Sequence, residues 1–195
     1  MEKDILLCGI GGQGTVLSSK IIAASAMKEG NVVHSAETIG MAQRGGPVNS
    51  HIRIGEEAYS PLIPLGNANV IIAFEPSEAV RNLSYLKEDG VVIVNTTPVK
   101  PVTESLKDTG YNGKASLAYL EGKCRMVSVD GEAKCLELGS SKFLNILLLG
   151  VAAGTGALGI EKKTLESEII DRVPVKFKEK NIEAFEIGYK MGMDF

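Results

Sequence analysis

Residues 9–14, which read Gly-Ile-Gly-Gly-Gln-Gly, constrain the fold of this chain more than any other segment. They follow an apolar run at residues 5–8, and a pattern of helical spacing begins near Thr15. A buried strand, a glycine turn and a helix in this order place backbone N–H groups at a helix N-terminus, where anions and above all phosphates bind. The candidate contacts to a phosphate-bearing ligand in this loop are Gly9, Gly11, Gly12, Gln13 and Gly14.

A second glycine-rich loop occupies residues 40–46 and reads Gly-Met-Ala-Gln-Arg-Gly-Gly. Arg44 carries a planar fork of donors that suits phosphate or carboxylate, and paired glycines allow another molecule to approach the backbone closely. Open α/β sheets bind ligands beyond the carboxyl ends of their strands, where both loops are expected. Gln43, Arg44, Gly45 and Gly46 are therefore further candidates, and the alternative is a surface loop with a solvated arginine.

The remainder of the chain alternates between buried strands and amphipathic helices. A second strand is predicted to begin at Val32-Val33, buried strands at residues 70–74 and 91–94, and a further strand at 126–129. Helical spacing predicts helices at 76–86, 116–120, 133–138, 143–153, 165–173 and 182–191. Residues 48–54 alternate in polarity as a half-buried strand does, and Gly55-Glu56-Glu57 is expected to turn a hairpin into residues 58–60. The pattern predicts one domain over residues 1–195, an α/β doubly wound and mostly parallel sheet with an antiparallel hairpin and a helical C-terminal part.

Composition argues against several classes of function. The net charge of −3 and the absence of Trp give no support to nucleic-acid binding. Cys8, Cys124 and Cys135 form no Cys-x-x-Cys pair, so no zinc or iron–sulfur site is expected, and unpaired thiols suit a reducing cytoplasm. The longest apolar stretch, residues 143–158, is short and glycine-rich for a membrane span. That stretch is expected either in the core or at a subunit interface.

Candidate catalytic groups are scarce. His34 follows an apolar pair and His51 lies among polar residues of a strand, so both are expected to be structural. No catalytic triad or metal-binding spacing is present, and we predict no catalytic residue. Glu37 lies near the place where a dinucleotide-binding fold carries its ribose-binding acid, although in an expected loop. A free-standing NAD(P)- or flavin-binding oxidoreductase and a non-enzymatic phosphate-binding module therefore both stay open.

Several motifs together point to a family. The first glycine loop, the segment Glu37 to Gly46 and the stretch Ser50 to Gly55 resemble the gamma-type domain of 2-oxoacid:ferredoxin oxidoreductases. Within that family the stretch Tyr59 to Pro64, Phe74-Glu75-Pro76 and the ending at residues 173–188 are similar to small subunits of the indolepyruvate type. It covers most of the chain and is weakest over residues 96–123.

The resemblance implies a division of labour between subunits. A large alpha subunit would hold thiamine diphosphate and the iron–sulfur clusters, decarboxylate an arylpyruvate, pass electrons to ferredoxin and form an acyl-coenzyme A. The small subunit would bind no cofactor tightly and would be inactive when isolated, although it could form a homodimer. The resemblance implies contacts with coenzyme A at Gly11, Gln13, Gly14 and Arg44.

Overall fold

One mixed sheet of six strands organises the chain. The computed structural model describes residues 1–39, 45–100 and 110–195. The strands are β1 (Lys3–Ile10), β2 (Val33–Ile39), β3 (Pro47–Ile54), β4 (Ala68–Ala73), β5 (Leu86–Asn95) and β6 (Arg125–Val129). Their order across the sheet is β2-β3-β1-β4-β5-β6. Strands β1, β4, β5 and β6 run parallel to one another, whereas β3 runs antiparallel to both β1 and β2.

Helices cover both faces of this sheet. They are α1 (Thr15–Lys28), α2 (Pro76–Asn82), α3 (Lys114–Glu121), α4 (Gly131–Glu137), α5 (Leu144–Gly154), α6 (Lys162–Arg172) and α7 (Lys178–Met193). Helices α2 and α3 pack on one face, and the other five pack on the opposite face. The doubly wound α/β architecture with a helical C-terminal part is therefore as the sequence predicts.

The apolar run in β1 shows why this arrangement suits the sequence. Ile5 and Leu7 belong to the core on the α1 and α5 side, whereas Leu6 and Cys8 belong to the core on the α2 and α3 side. All four side chains are fully buried. A central strand covered on both faces has no polar face to show, so its sequence is continuously apolar rather than alternating.

The position of the antiparallel hairpin differs from the sequence-based expectation. Residues 55–60 form turns, bends and irregular chain rather than a returning strand, so the hairpin expected at Gly55 is wrong. The hairpin is β2–β3, and Glu37 lies within β2 rather than in a loop. β2 is an edge strand with partly exposed polar side chains, so it lacks the apolar signature that identifies the central strands.

The apolar helix α5 belongs to the core of the chain. Its residues 145–153 are all buried, and Leu148 has no exposed surface. Helix α7 packs directly against it, because glycines on both helices remove the side chains that would otherwise separate the backbones. Of the two alternatives left by the sequence, burial within the chain is the one observed.

Two further observations concern membranes and metals. Across the described residues, no single helix is long and apolar enough to cross a membrane. The segments Gly131–Glu137 and Ser141–Gly154 are long and apolar enough only when taken together, and a bend of 119° separates them. The described part of the chain also contains no group of three or more His, Cys, Asp or Glu residues that could hold a metal ion.

Candidate functional site

The first glycine loop leads from the carboxyl end of β1 into α1. Gly12 and Gly14 have φ values of +103° and +86°, which favour glycine because a Cβ strains the left-handed conformation. Gly14 is the N-cap of α1, and no side chain caps that helix. A Cβ at Gly9 would lie 2.8 Å from the Cβ of Phe74, so β1 and the end of β4 approach too closely for any larger residue. The loop therefore presents backbone at the carboxyl edge of the sheet.

The Gln13 side chain closes this loop. Its Oε1 accepts a hydrogen bond from the Ile10 N–H at 2.7 Å, and its Nε2 donates to the Phe74 carbonyl at 3.0 Å. Both ends of the amide are therefore engaged within the chain, and they tie the loop to the end of β4. This geometry gives Gln13 a structural role beside its predicted contact with a ligand.

The second glycine loop lies against the first. The Gly11 N–H donates to the Gly46 carbonyl at 2.8 Å, and the Gly45 N–H approaches the Gly11 carbonyl at 3.5 Å. These contacts extend the β1–β3 pairing, in which Ile10 lies opposite Pro47. The structure thus brings Gly45 and Gly46 beside Gly11. The candidates Gln43 and Arg44 lie outside the described residues.

A cavity of about 550 Å³ opens on the other side of the first loop. Gly12, Gln13 and Gly14 line it, whereas Gly9, Gly11, Gly45 and Gly46 do not. The remaining lining comes from α1, from the chain after β5, from α4 and from the start of α5. These further residues are Leu17, Asn95, Thr97, Val99, Gly131, Glu132, Cys135, Ser141, Lys142, Leu144 and Asn145. None of these further residues is among the site residues predicted from the sequence.

Asn95 holds three parts of this edge together. Its Nδ2 donates to the Phe74 carbonyl at 3.2 Å, and its Oδ1 accepts from the Gly131 N–H at 3.2 Å. The residue is only 2% exposed. Its amide therefore links the ends of β4 and β5 to the start of α4 and fixes one side of the cavity.

A buried polar cluster lies on the opposite face, at the start of α2. The fully buried Glu75 caps α2, accepting from the N–H groups of Ser77 and Glu78, and it also accepts from the Tyr111 hydroxyl. Burial, followed by the bond to Glu75, raises the pKa of Tyr111, and burial raises the pKa of Glu78. Burial together with these carboxylates raises the pKa of Cys8 well above its ordinary value. Glu75 has its hydrogen-bond partners within the chain, Glu78 pairs with Arg81, and the Cys8 thiol contacts the Glu78 backbone carbonyl, which together indicate a structural role.

His51 also has a structural environment. Its Nδ1 accepts from the Ile63 N–H at 3.2 Å, and its ring packs edge-on against Tyr85 with centroids 5.5 Å apart. Burial lowers the pKa of His51, which favours the neutral ring that this hydrogen bond requires. The expected structural role of His51 agrees with this geometry.

The position of Glu37 differs from that of a ribose-binding acid. In dinucleotide-binding folds, that acid follows the strand next to β1. Here β3 lies between β1 and β2, so Glu37 is two strands away from the glycine loop. The Ser19 hydroxyl donates to Glu37 Oε1 at 3.3 Å. Within the described ranges, Glu37 therefore does not take the place beside the glycine loop that the acid of a dinucleotide site occupies.

Comparison with known proteins places the chain in a family. Residues 4–191 match the pyruvate ferredoxin/flavodoxin oxidoreductase family. The indolepyruvate oxidoreductase subunit IorB of Methanothermobacter thermautotrophicus is 37% identical over 191 residues, which cover 97% of each chain.

Solved structures share the fold. A keto/oxoacid ferredoxin oxidoreductase gamma subunit from Geobacter sulfurreducens has a TM-score of 0.73 and 21% identity over 99% of both chains. A 2-oxoglutarate:ferredoxin oxidoreductase from Magnetococcus marinus, solved with 2-oxoglutarate, coenzyme A and succinyl-CoA, has a TM-score of 0.73 and 20% identity. It matches over all of this chain and 31% of that one. The chain therefore belongs to the pyruvate ferredoxin/flavodoxin oxidoreductase family, as a small subunit of the 2-oxoacid:ferredoxin oxidoreductase type.

Proposed function

We propose that this chain is the small subunit of an enzyme that oxidatively decarboxylates indolepyruvate or other arylpyruvates. A large alpha subunit would hold thiamine diphosphate and the iron–sulfur clusters, and it would pass electrons to ferredoxin. The acyl group would go to coenzyme A in the cytoplasm. The name of the relative at 37% identity supports the arylpyruvate substrate.

The observation that carries the proposal is the pairing of the two glycine loops at the carboxyl edge of the sheet. The hydrogen bond from Gly11 to Gly46 places two backbone surfaces without side chains next to each other. Glycine surfaces admit the backbone of a partner or the phosphates of a ligand at close range. Coenzyme A carries such phosphates, and the uncapped N-terminus of α1 fits them.

The residues of this chain would bind and orient coenzyme A and would take no part in the chemical steps. Cys135 lies at the cavity, but burial raises the pKa of its thiol to about 11, so it stays protonated near neutral pH. A protonated thiol is a poor nucleophile and a poor metal ligand. We therefore assign decarboxylation and electron transfer to the large subunit.

Reconstitution with the large subunit tests this proposal. The complex should reduce ferredoxin in the presence of indolepyruvate and coenzyme A, whereas each chain alone should not. A complex that forms but reduces ferredoxin only with an aliphatic 2-oxoacid would contradict the arylpyruvate substrate. Binding of NAD(P)H or flavin to the small subunit alone would instead favour a free-standing oxidoreductase.

Arg44 gives a sharper test of contact with coenzyme A. A hydrogen bond to a charged group contributes about 1.5–3 kcal/mol, so Arg44→Ala should raise the KM for coenzyme A by about tenfold to a hundredfold. Arg44→Lys should fall between, because an ammonium cannot make two parallel hydrogen bonds. Arg172→Ala is the matched control, since the partly exposed Arg172 pairs with Glu168 at the end of α6. Equal KM values for the Arg44→Ala, Arg172→Ala and unmodified complexes would rule out this contact.

A further inference from the structure

We propose that the outer edge of β2 is an interface with a second copy of this chain, in which the two β2 strands pair antiparallel about Ala36. The order of strands ends at β2, which pairs only with β3 in the part of the chain that the structure describes. The pairing would join two six-stranded sheets into one continuous sheet. This contact goes beyond the proposed function, because it concerns two small subunits and neither coenzyme A nor the large subunit.

The backbone of β2 leaves a row of polar groups unused at this edge. The Gly55 N–H donates to the Val32 carbonyl at 2.9 Å, so Val32 and Gly55 form a hydrogen-bonded pair that continues the β2–β3 register. Such pairs alternate along antiparallel strands, so the N–H and C=O groups of Val33, Ser35 and Glu37 point away from β3. These outward groups have no hydrogen-bond partner within the described ranges. An edge of this kind is a template for another strand.

The devices by which proteins normally block a sheet edge are missing from β2. The strand contains no Pro and no Lys, and it pairs with β3 along its whole length without a bulge. The carboxylate of Glu37 is drawn toward α1, because the Ser19 hydroxyl donates to Glu37 Oε1 at 3.3 Å. Ser35 and Glu37 are both exposed, so no described segment of the chain covers the edge at these residues.

The sequence of β2 suits one register for such a pair. With a two-fold axis through Ala36, Ser35 lies opposite Glu37 of the second copy, and His34 lies opposite Thr38 of the second copy. The outward backbone groups of Ser35 and Glu37 then face each other and exchange hydrogen bonds in pairs, as antiparallel strands require. The exposed Ser35 hydroxyl also comes within reach of the Glu37 carboxylate, to which it would donate.

The alternative registers are poorer. An axis through Glu37 would place two carboxylates directly opposite each other, where like charges are destabilising. An axis through Ser35 would place Glu37 opposite the partly buried Val33 and would shorten the paired region. The axis through Ala36 instead places two alanines at the centre, where residues of a non-hydrogen-bonded pair approach to about 4.5 Å between Cα atoms. A small side chain suits this close approach.

The pairing should be weak and reversible. A stable interface buries about 800 Å² of each partner, which is more than one added strand of this length supplies. We therefore expect a Kd of about 10–100 μM, so the dimer forms in concentrated solution and dissociates on dilution.

Sedimentation equilibrium of the full chain between about 1 and 200 μM, a range that brackets this Kd, tests the proposal. The average mass should rise from the 20.7 kDa of one chain toward twice that value. Ser35→Glu should raise the Kd at least about fivefold, because it places a second carboxylate against Glu37 at both symmetry-related positions. Adding Glu37→Lys to Ser35→Glu should restore the dimer by making each pair one of opposite charges. Ser84→Glu is the matched control, since Ser84 is an exposed serine outside β2 and should leave the Kd unchanged.

A cysteine cross-link tests the register itself. In Ala36→Cys the two thiols would face each other across the axis, within the range that a disulfide needs, so oxidised glutathione should link two copies. Thr38→Cys is the matched control, because two copies of Thr38 would lie farther apart than the roughly 7 Å between Cα atoms that a disulfide allows. Non-reducing electrophoresis counts the linked chains, and the unmodified chain corrects for linkage through its own cysteines.

Three outcomes would overturn the proposal. They are an unmodified chain that stays monomeric over the whole range, a dimer that Ser35→Glu leaves unchanged, and equal cross-linking of Ala36→Cys and Thr38→Cys. If Ser35→Glu instead prevents binding of the large subunit while the unmodified chain stays monomeric, the edge belongs to the large subunit and the proposal is also wrong. The Tm shows whether each variant folds, and if Ser35→Glu does not, the cross-linking comparison decides. None of these measurements depends on ferredoxin reduction, so their failure leaves the proposed function standing.

Discussion

The contact between α5 and α7 depends on glycine in a way that a single methyl group can test. A Cβ on Gly188 would lie 2.1 Å from the Leu147 carbonyl oxygen, and one on Gly154 would lie 2.1 Å from the Tyr189 carbonyl oxygen. Ordinary van der Waals contact begins at 3.4 Å. The clashing atoms are backbone atoms of a helix, so relief requires the helices themselves to separate.

The size of the effect follows from one favourable and two unfavourable contributions to the free energy of unfolding. Alanine is a better helix former than glycine by about 1 kcal/mol, which favours the variant. Overpacking a tightly packed core costs about 1–3 kcal/mol, and more where the backbone cannot give way. Separating α5 from α7 would also loosen the fully buried Leu147 and Phe185. We therefore expect Gly188→Ala to lower the free energy of unfolding by about 1–3 kcal/mol, a large part of the 5–15 kcal/mol typical of a domain.

Urea denaturation followed by circular dichroism measures this change. Gly122→Ala is the matched control, because its Cβ would meet nothing closer than the Tyr119 carbonyl oxygen at 3.8 Å, and its φ of −82° suits alanine. The control should be as stable as the unmodified chain or more stable by up to about 1 kcal/mol. If Gly188→Ala shows the same free energy of unfolding as Gly122→Ala, the close backbone contact does not constrain the fold.

Two further predictions concern burial in the core. Leu148→Asp should abolish folding, because Leu148 is fully buried and an unpaired buried charge costs several kcal/mol, roughly the whole stability of a marginal domain. The control is Leu136→Asp on α4, which should fold normally because Leu136 is 71% exposed. Far-UV circular dichroism distinguishes a folded from an unfolded variant. A folded Leu148→Asp chain would contradict the core position of Leu148. Burial lowers the pKa of His51 in the folded chain below the 6.5 of the unfolded chain, so its contribution to stability is present above pH 6.5 and lost as the pH falls. His51→Asn keeps an acceptor for the Ile63 N–H, and its free energy of unfolding should fall less steeply between pH 6.5 and 5 than that of the unmodified chain. Urea titrations at several pH values measure this free energy. If it changes with pH in the same way for both proteins, the pKa of His51 does not change on folding.

The sequence predicted features that depend on residues close together in the chain, and it missed features that depend on residues far apart. The glycine loop and the strand before it depend on neighbouring residues, and the structure contains both. The β2–β3 hairpin was misplaced because the second half of edge strand β2 is polar, so residues from Glu37 onward were assigned to a loop although they pair with β3. Asn145, which lines the cavity, was missed because its neighbours at the glycine loop are distant in sequence. The available signal was a single amide in the otherwise apolar start of α5.

The insertion of β3 between β1 and β2 moves Glu37 away from the first glycine loop, which we propose contacts a phosphate. In the simple order, β2 would lie beside β1 and would carry Glu37 toward the loop. With β3 between them, Glu37 is two strands away, and the neighbour of Gly11 is the backbone of Gly45 and Gly46. A carboxylate beside the N-terminus of α1 would compete with a phosphate for its N–H groups and would repel it. The antiparallel strand thus places glycine backbone rather than the Glu37 carboxylate beside the first glycine loop.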